Sequence, residues 1–296
     1  MASKKKRSAS KKPDAGEALA KMERPGIKWK TVGLIGFGFV IVWGLVIGLI
    51  PWIGYVGVIG AGVLTAVAVG FGVYLWRLTR KSQGIVDILK TATDAEGRKD
   101  ALERLEAKGK KGDAMNALAR AQLLAQEKPG EAIRILEELD LKKTPALVQN
   151  DVRANLALLY LMNNRARDAR ALADDIRLDQ QGQPKGKALY AAVVAESFAR
   201  TGKAEDAKVL LETYDAADPE YGEVGAMLYR AQVYTFMATK NRGLAKKAME
   251  NLASIDPNMV AAFVLKGGNP QLAKMAKQVI QTSGAMPKQK MRMMRR

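Results

Sequence analysis

The sequence predicts an all-α protein, a two-helix transmembrane hairpin followed by a cytoplasmic α-solenoid. Three observations predict it. Residues 31–76 contain no charged side chain, a longer uncharged run than a soluble core element needs. Beyond residue 82, helix-length segments alternate with short Gly, Pro and Asn breaks, and no alternating strand pattern is present. Through that body, matched residues return every 38 positions.

Composition narrows the chemistry before any element is placed. The 296 residues include no cysteine and no histidine, which removes disulfides, thiolate nucleophiles, imidazole bases and Cys- or His-ligated metal sites. No cofactor and no metal are expected. The formal net charge is +18, but it sits in the flanks of the uncharged run and in the last ten residues, leaving residues 82–286 close to neutral. Basic flanks of this kind beside an uncharged run meet anionic lipid, a plainer account of them than nucleic-acid binding, which is disfavoured.

Residues 1–30 are rich in Lys, Ser, Ala and Pro and form a disordered basic tail. The uncharged run follows. As a single helix it would be more than twice as long as the roughly 30 Å hydrocarbon layer, so it turns back at Pro51-Trp52-Ile53-Gly54-Tyr55. The spans are 31–50 and 55–76. Basic residues precede the first span and follow the second, and none lies between, which places both termini and the body in the cytoplasm, most simply at a bacterial inner membrane. Gly44 with Gly48, and Gly62 with Ala66 and Gly70, are spaced four apart on helical faces. Small residues there allow close helix packing in lipid, either between the two spans or onto other transmembrane subunits. Neither span holds an Asp, Glu, Lys, Arg or His, so a transport path is disfavoured.

Residues 82–283 form the repeat domain. Tyr160, Phe198 and Phe236 are 38 apart; Asn164, Gly202 and Lys240 follow at the turn; Ala169, Ala207 and Ala245 open each second helix. Asp218-Pro219 and Asp256-Pro257 close two units, and a weaker earlier copy contains Leu123, Ala132 and Leu136; Asp or Asn directly before proline, at these two places and at Asn269-Pro270, is the pattern of an N-cap followed by proline at the first helical position. These residues resemble the tetratricopeptide-repeat family: a bulky residue, a turn four positions later, an alanine five beyond, a large apolar residue, and proline near the unit's end. The resemblance covers about residues 113–259. It departs in its 38-residue period, in lacking the first-helix Trp and in having lysine at Lys240; a related helical-hairpin repeat is the alternative, and both give an α-solenoid.

The resemblance implies that first helices line a concave face. The residues projected onto it are Asp151, Asn155, Leu158 and Met162 from one unit, Leu189, Ala192, Glu196 and Arg200 from the next, and Met227, Arg230, Tyr234 and Met237 from the last. Such a mixed groove suits a helix or an extended peptide of a protein partner. The adjacent acidic pairs Asp174-Asp175 and Glu137-Glu138 diverge by about 100° on a helix and do not form an acid/base pair. The sequence therefore points to a non-enzymatic membrane adaptor or scaffold. An accessory subunit docking mainly through its glycine-rich spans is the alternative. Residues 284–296, a basic Met-rich tail, suit anionic lipid or an acidic partner.

Overall fold

A computed structural model describes residues 29–48, 56–90, 92, 95–109, 112–265 and 269–283. The expected turn at 51–55, residues 1–28 of the expected basic tail and the whole of the tail 284–296 lie outside the described residues, while Trp29 and Lys30, expected in the tail, open the first helix. Every regular element described is an α-helix, and the chain divides into two compact units, 1–108 and 109–296.

In the first unit, α1 spans Trp29–Gly48 and α2 spans Val56–Lys90. These two helices touch, and Trp43 Nε1 donates to Thr65 Oγ1 across 3.2 Å. The Thr65 hydroxyl in turn donates to the Ala61 carbonyl at 2.7 Å. Large apolar side chains point outward along both helices, with Phe37 65% and Leu64 70% exposed. No helix among the described residues is long and apolar enough to cross a membrane. α2 does not stop at Trp76 but continues through Arg77, Arg80 and Lys81 to Lys90, since nothing in that stretch breaks a helix. α3, Ala95–Lys108, completes this unit.

Among the described residues, the second unit is a run of five helical hairpins. They pair α4 (Ala114–Leu124) with α5 (Pro129–Glu137), α6 (Ala146–Met162) with α7 (Ala166–Ala173), and α8 (Pro184–Arg200) with α9 (Ala204–Glu212). Next come α10 (Val224–Ala238) with α11 (Arg242–Ile255), and α12 (Pro257–Leu265) with α13 (Pro270–Ser283). The alanines that recur in the sequence are at the contact: Ala169, Ala207 and Ala245 are each fully buried, because only a methyl group lets paired helices approach this closely. Leu211, Leu228, Met249 and Leu252 fill the space beside them.

The turns repeat as faithfully as the core. Asn164 and Lys240 have φ of 61° and 62°, and Gly202 has 95°, so all three matched positions are left-handed. The next amide in each closes onto the aromatic residue four positions before the turn: Arg165 N–H to Tyr160 O at 2.8 Å, Lys203 N–H to Phe198 O at 2.9 Å, and Asn241 N–H to Phe236 O at 2.7 Å. This is the Schellman closure of a helix end. In two of the turns the residue after it lies over the same aromatic ring, Arg165 at 4.3 Å from the Tyr160 centroid and Lys203 at 5.7 Å from that of Phe198.

Starts are less uniform than the sequence suggests. Asp256 and Asn269 cap the helices that open at Pro257 and Pro270, each accepting from the amide two residues on at 2.9 Å. Asp218-Pro219 instead forms a turn, and α10 begins at Val224. The intervening segment folds on itself through left-handed Gly222 and a Tyr214–Tyr221 ring contact at 6.3 Å. It passes so close to α10 that a Cβ on Gly225 would lie 2.7 Å from the Ala216 carbonyl oxygen.

Candidate functional site

First helices α6, α8 and α10 pack in sequence order, and they gather the polar members of the projected face into one cluster. Glu196, on α8, is 2% exposed. It accepts from Arg200 Nη1, one helical turn along, and from Arg230 Nη2 on α10, both at 2.9 Å. A buried carboxylate needs such partners, because an unpaired one would lose its hydration with nothing in return. Arg200 also donates to the Leu161 carbonyl at 2.8 Å and to Asn164 Oδ1 at 2.9 Å at the end of α6. Its guanidinium stacks 4.7 Å from the centroid of Tyr234. Tyr234 in turn packs against Phe263 of α12, ring centroids 5.3 Å apart. Burial, and then the nearby Glu196 carboxylate, hold the Tyr234 hydroxyl above its ordinary pKa. Arg230 stays charged, with Glu196 favouring the cation against the effect of burial.

Beside this cluster is a pocket of about 40 Å³. Arg230 and Tyr234 line it with Met162 and Asn164 from the end of α6, and Phe263 and Leu272 close it from the last hairpin. Among the described residues no group of three or more acidic side chains is placed to hold a metal ion.

The remaining projected residues divide. Asp151 is capped by Tyr190, whose hydroxyl donates to its Oδ1; burial raises the Asp151 carboxyl above its ordinary pKa and the hydrogen bond only partly offsets this. Asn155 donates to the Asp151 carbonyl at 2.8 Å. Leu158 and Leu189 are half-buried. Ala192 corrects the projection: at 2% exposed it belongs to the core and supports the face from beneath. Met227 and Met237 are half-buried against that same core. In the first unit, a Cβ on Gly44, Gly48, Gly62 or Gly70 would meet nothing within 4 Å, and Ala66 is exposed, so the α1–α2 contact runs through Trp43 and Thr65 instead.

Sequence reasoning missed Phe263 and Leu272, because the last hairpin was read only as a partial unit. It also missed a signal in the register. Arg230 occupies the position that is Ala154 and Ala192 in the two preceding units, both 2% exposed. A long cation thus stands where the repeat otherwise buries a methyl group, and it is paired there with Glu196.

A family model described as tetratricopeptide repeat matches residues 123–193, from the end of α4 into α8. The match supports a TPR-like helical repeat, in keeping with the paired helices and the left-handed turns. Repeats of this kind are typically non-catalytic modules for protein–protein interaction. No curated protein and no solved structure matches the chain.

Proposed function

We propose that the chain is a membrane-anchored adaptor or scaffold whose first-helix face binds a helix or extended segment of a protein partner, recruiting it to a membrane complex or holding that complex together. The observation that carries this reading is the convergence of three successive repeat units on one cluster. Glu196, Arg200, Arg230 and Tyr234 sit beside a pocket edged by Met162, which combines aromatic, cationic and flexible apolar groups of the kind that anchor partner segments. The anchor rests on the uncharged run 31–76 with its basic flanks and on the row of outward apolar side chains on α1 and α2. Both termini and the repeats then face the cytoplasm, the basic flanks contact anionic lipid, and the tail 284–296 joins them.

A second reading has its own observation. The open space around Gly44, Gly48, Gly62 and Gly70 suits close approach by another transmembrane helix, and would make the chain an accessory subunit that docks through its spans. Purification in mild detergent separates the two. Leu158→Lys with Met162→Lys, both half-buried, should release co-purifying chains, while Gly62→Leu with Gly70→Leu should retain them. The reverse pattern, with thermal melts showing both variants folded, transfers the function to the spans. A reporter fused after Lys81 tests the topology, and non-cytoplasmic activity there would overturn it.

A further inference from the structure

The cluster carries more positive than negative charge. Among the described residues, Glu196 is the one carboxylate that the Arg200 and Arg230 guanidiniums contact, so a buried triad of two cations and one anion keeps one unit of positive charge. Arg200 spends its terminal nitrogens on Leu161, Asn164 and Glu196 and stacks on Tyr234, whereas Arg230, held by Glu196 and the Tyr234 hydroxyl, also lines the adjoining pocket. The walls are otherwise apolar or neutral, and none of the residues that line it is acidic. A residual cation in low dielectric attracts a counter-ion far more strongly than one in water does.

Size and charge choose the occupant. A single water molecule needs roughly 10–15 Å³ of cavity, so a pocket of about 40 Å³ accommodates about the three heavy atoms of a carboxylate. A chain terminus fits less well, because its carboxylate shares a carbon with a branching side chain. The chain's own tail, residues 284–296, is basic and is repelled.

We propose that this pocket is an anion subsite that takes the side-chain carboxylate of an acidic residue in the partner segment, with Arg230 as its principal contact. It rests on the groove reading above and specifies what the groove selects.

The test uses the full chain in detergent micelles, labelled with ¹⁵N-arginine, and follows the Nε–H resonances of Arg200 and Arg230. The probes are propionate, its neutral isostere propionamide, and N-acetylalanine as a chain-end mimic. Propionate should shift both resonances saturably with a millimolar Kd, and the other two should bind at least about tenfold more weakly, since charge-assisted hydrogen bonds exceed neutral ones by that order. Glu196→Gln keeps an acceptor for both arginines while removing the negative charge, and should tighten propionate several-fold. Absence of a saturable shift, equal binding of propionamide, or tighter binding of N-acetylalanine would each overturn the proposal. None of those results touches the groove reading, which stands or falls on whether Leu158→Lys with Met162→Lys releases co-purifying chains.

Discussion

Lys240 holds the left-handed turn that glycine holds one repeat earlier, and exchanging the two residues should shift stability in opposite directions. A left-handed conformation costs an L-residue roughly 1–2 kcal/mol, while glycine's extra freedom in the unfolded chain gives back about 0.5–1 kcal/mol. Lys240→Gly should therefore stabilise the protein by about 0.5–1 kcal/mol, and Gly202→Lys should destabilise it by a similar amount. Steric crowding does not confuse the comparison, because a Cβ on Gly202 would meet nothing within 4 Å and Lys240 is exposed. Asn164→Gly is the control. Asparagine tolerates this region better than other side chains, and the substitution removes the acceptor for Arg200, so no gain is expected. Urea midpoints and thermal melts of the whole chain in mild detergent would read these changes, with Tm moving about 1–4 °C. If Gly202→Lys is neutral, or Lys240→Gly destabilises, the turns are not where backbone strain is held. The account of the repeating helix ends would then be wrong.

Gly225→Ala should cost about 1–3 kcal/mol in urea unfolding, because its methyl group would be driven against the Ala216 carbonyl. Glu196→Ala should cost about 3–5 kcal/mol by leaving two buried guanidiniums without their carboxylate, and Glu196→Gln should cost less. The Asp151 carboxyl is raised by burial from 3.8: the folded state holds that proton more tightly than the unfolded state. Stability should fall as pH rises from 3.8 through the raised folded value, a slope that Asp151→Asn should remove from urea midpoints across the acid range. Burial and the neighbouring Glu137 raise the Tyr160 hydroxyl from 10.0 to about 12. Stability should thus decline between those two pH values, and Tyr160→Phe should flatten the decline.

The repeat was legible because its period is set by contacts that tolerate few residue types. Ala169, Ala207 and Ala245 recur where only a methyl group fits, and Asn164, Gly202 and Lys240 mark the same left-handed turn even though one of them is lysine. The caps at Asp256 and Asn269 were legible for a local reason, a side-chain acceptor directly before proline. Asp218 has the same signature, yet α10 starts later, because the Tyr214–Tyr221 contact and Gly222 favour a turn that no local pattern encodes. At the candidate site, the polar members of the face were projected from the family resemblance together with the spacing. Spacing could not show that Glu196 binds two arginines from different units, since that bond depends on how α8 and α10 lie together. It also could not separate Ala192, which points into the core, from its neighbours on the face.

Arrays in which each repeat touches only its neighbours can peel open from an end, one hairpin at a time. Arg200 works against that behaviour. It reaches back to Leu161 and Asn164 in one hairpin, holds Glu196 in its own, and stacks on Tyr234 in the next. The clasp joins α6, α8 and α10 into a block that must open together, so fraying that begins at α13 should halt at Tyr234. Amides on α8 should then exchange with solvent as slowly as the whole block unfolds, while those on α13 exchange through local opening. The first-helix face would keep its shape while the end of the array breathes.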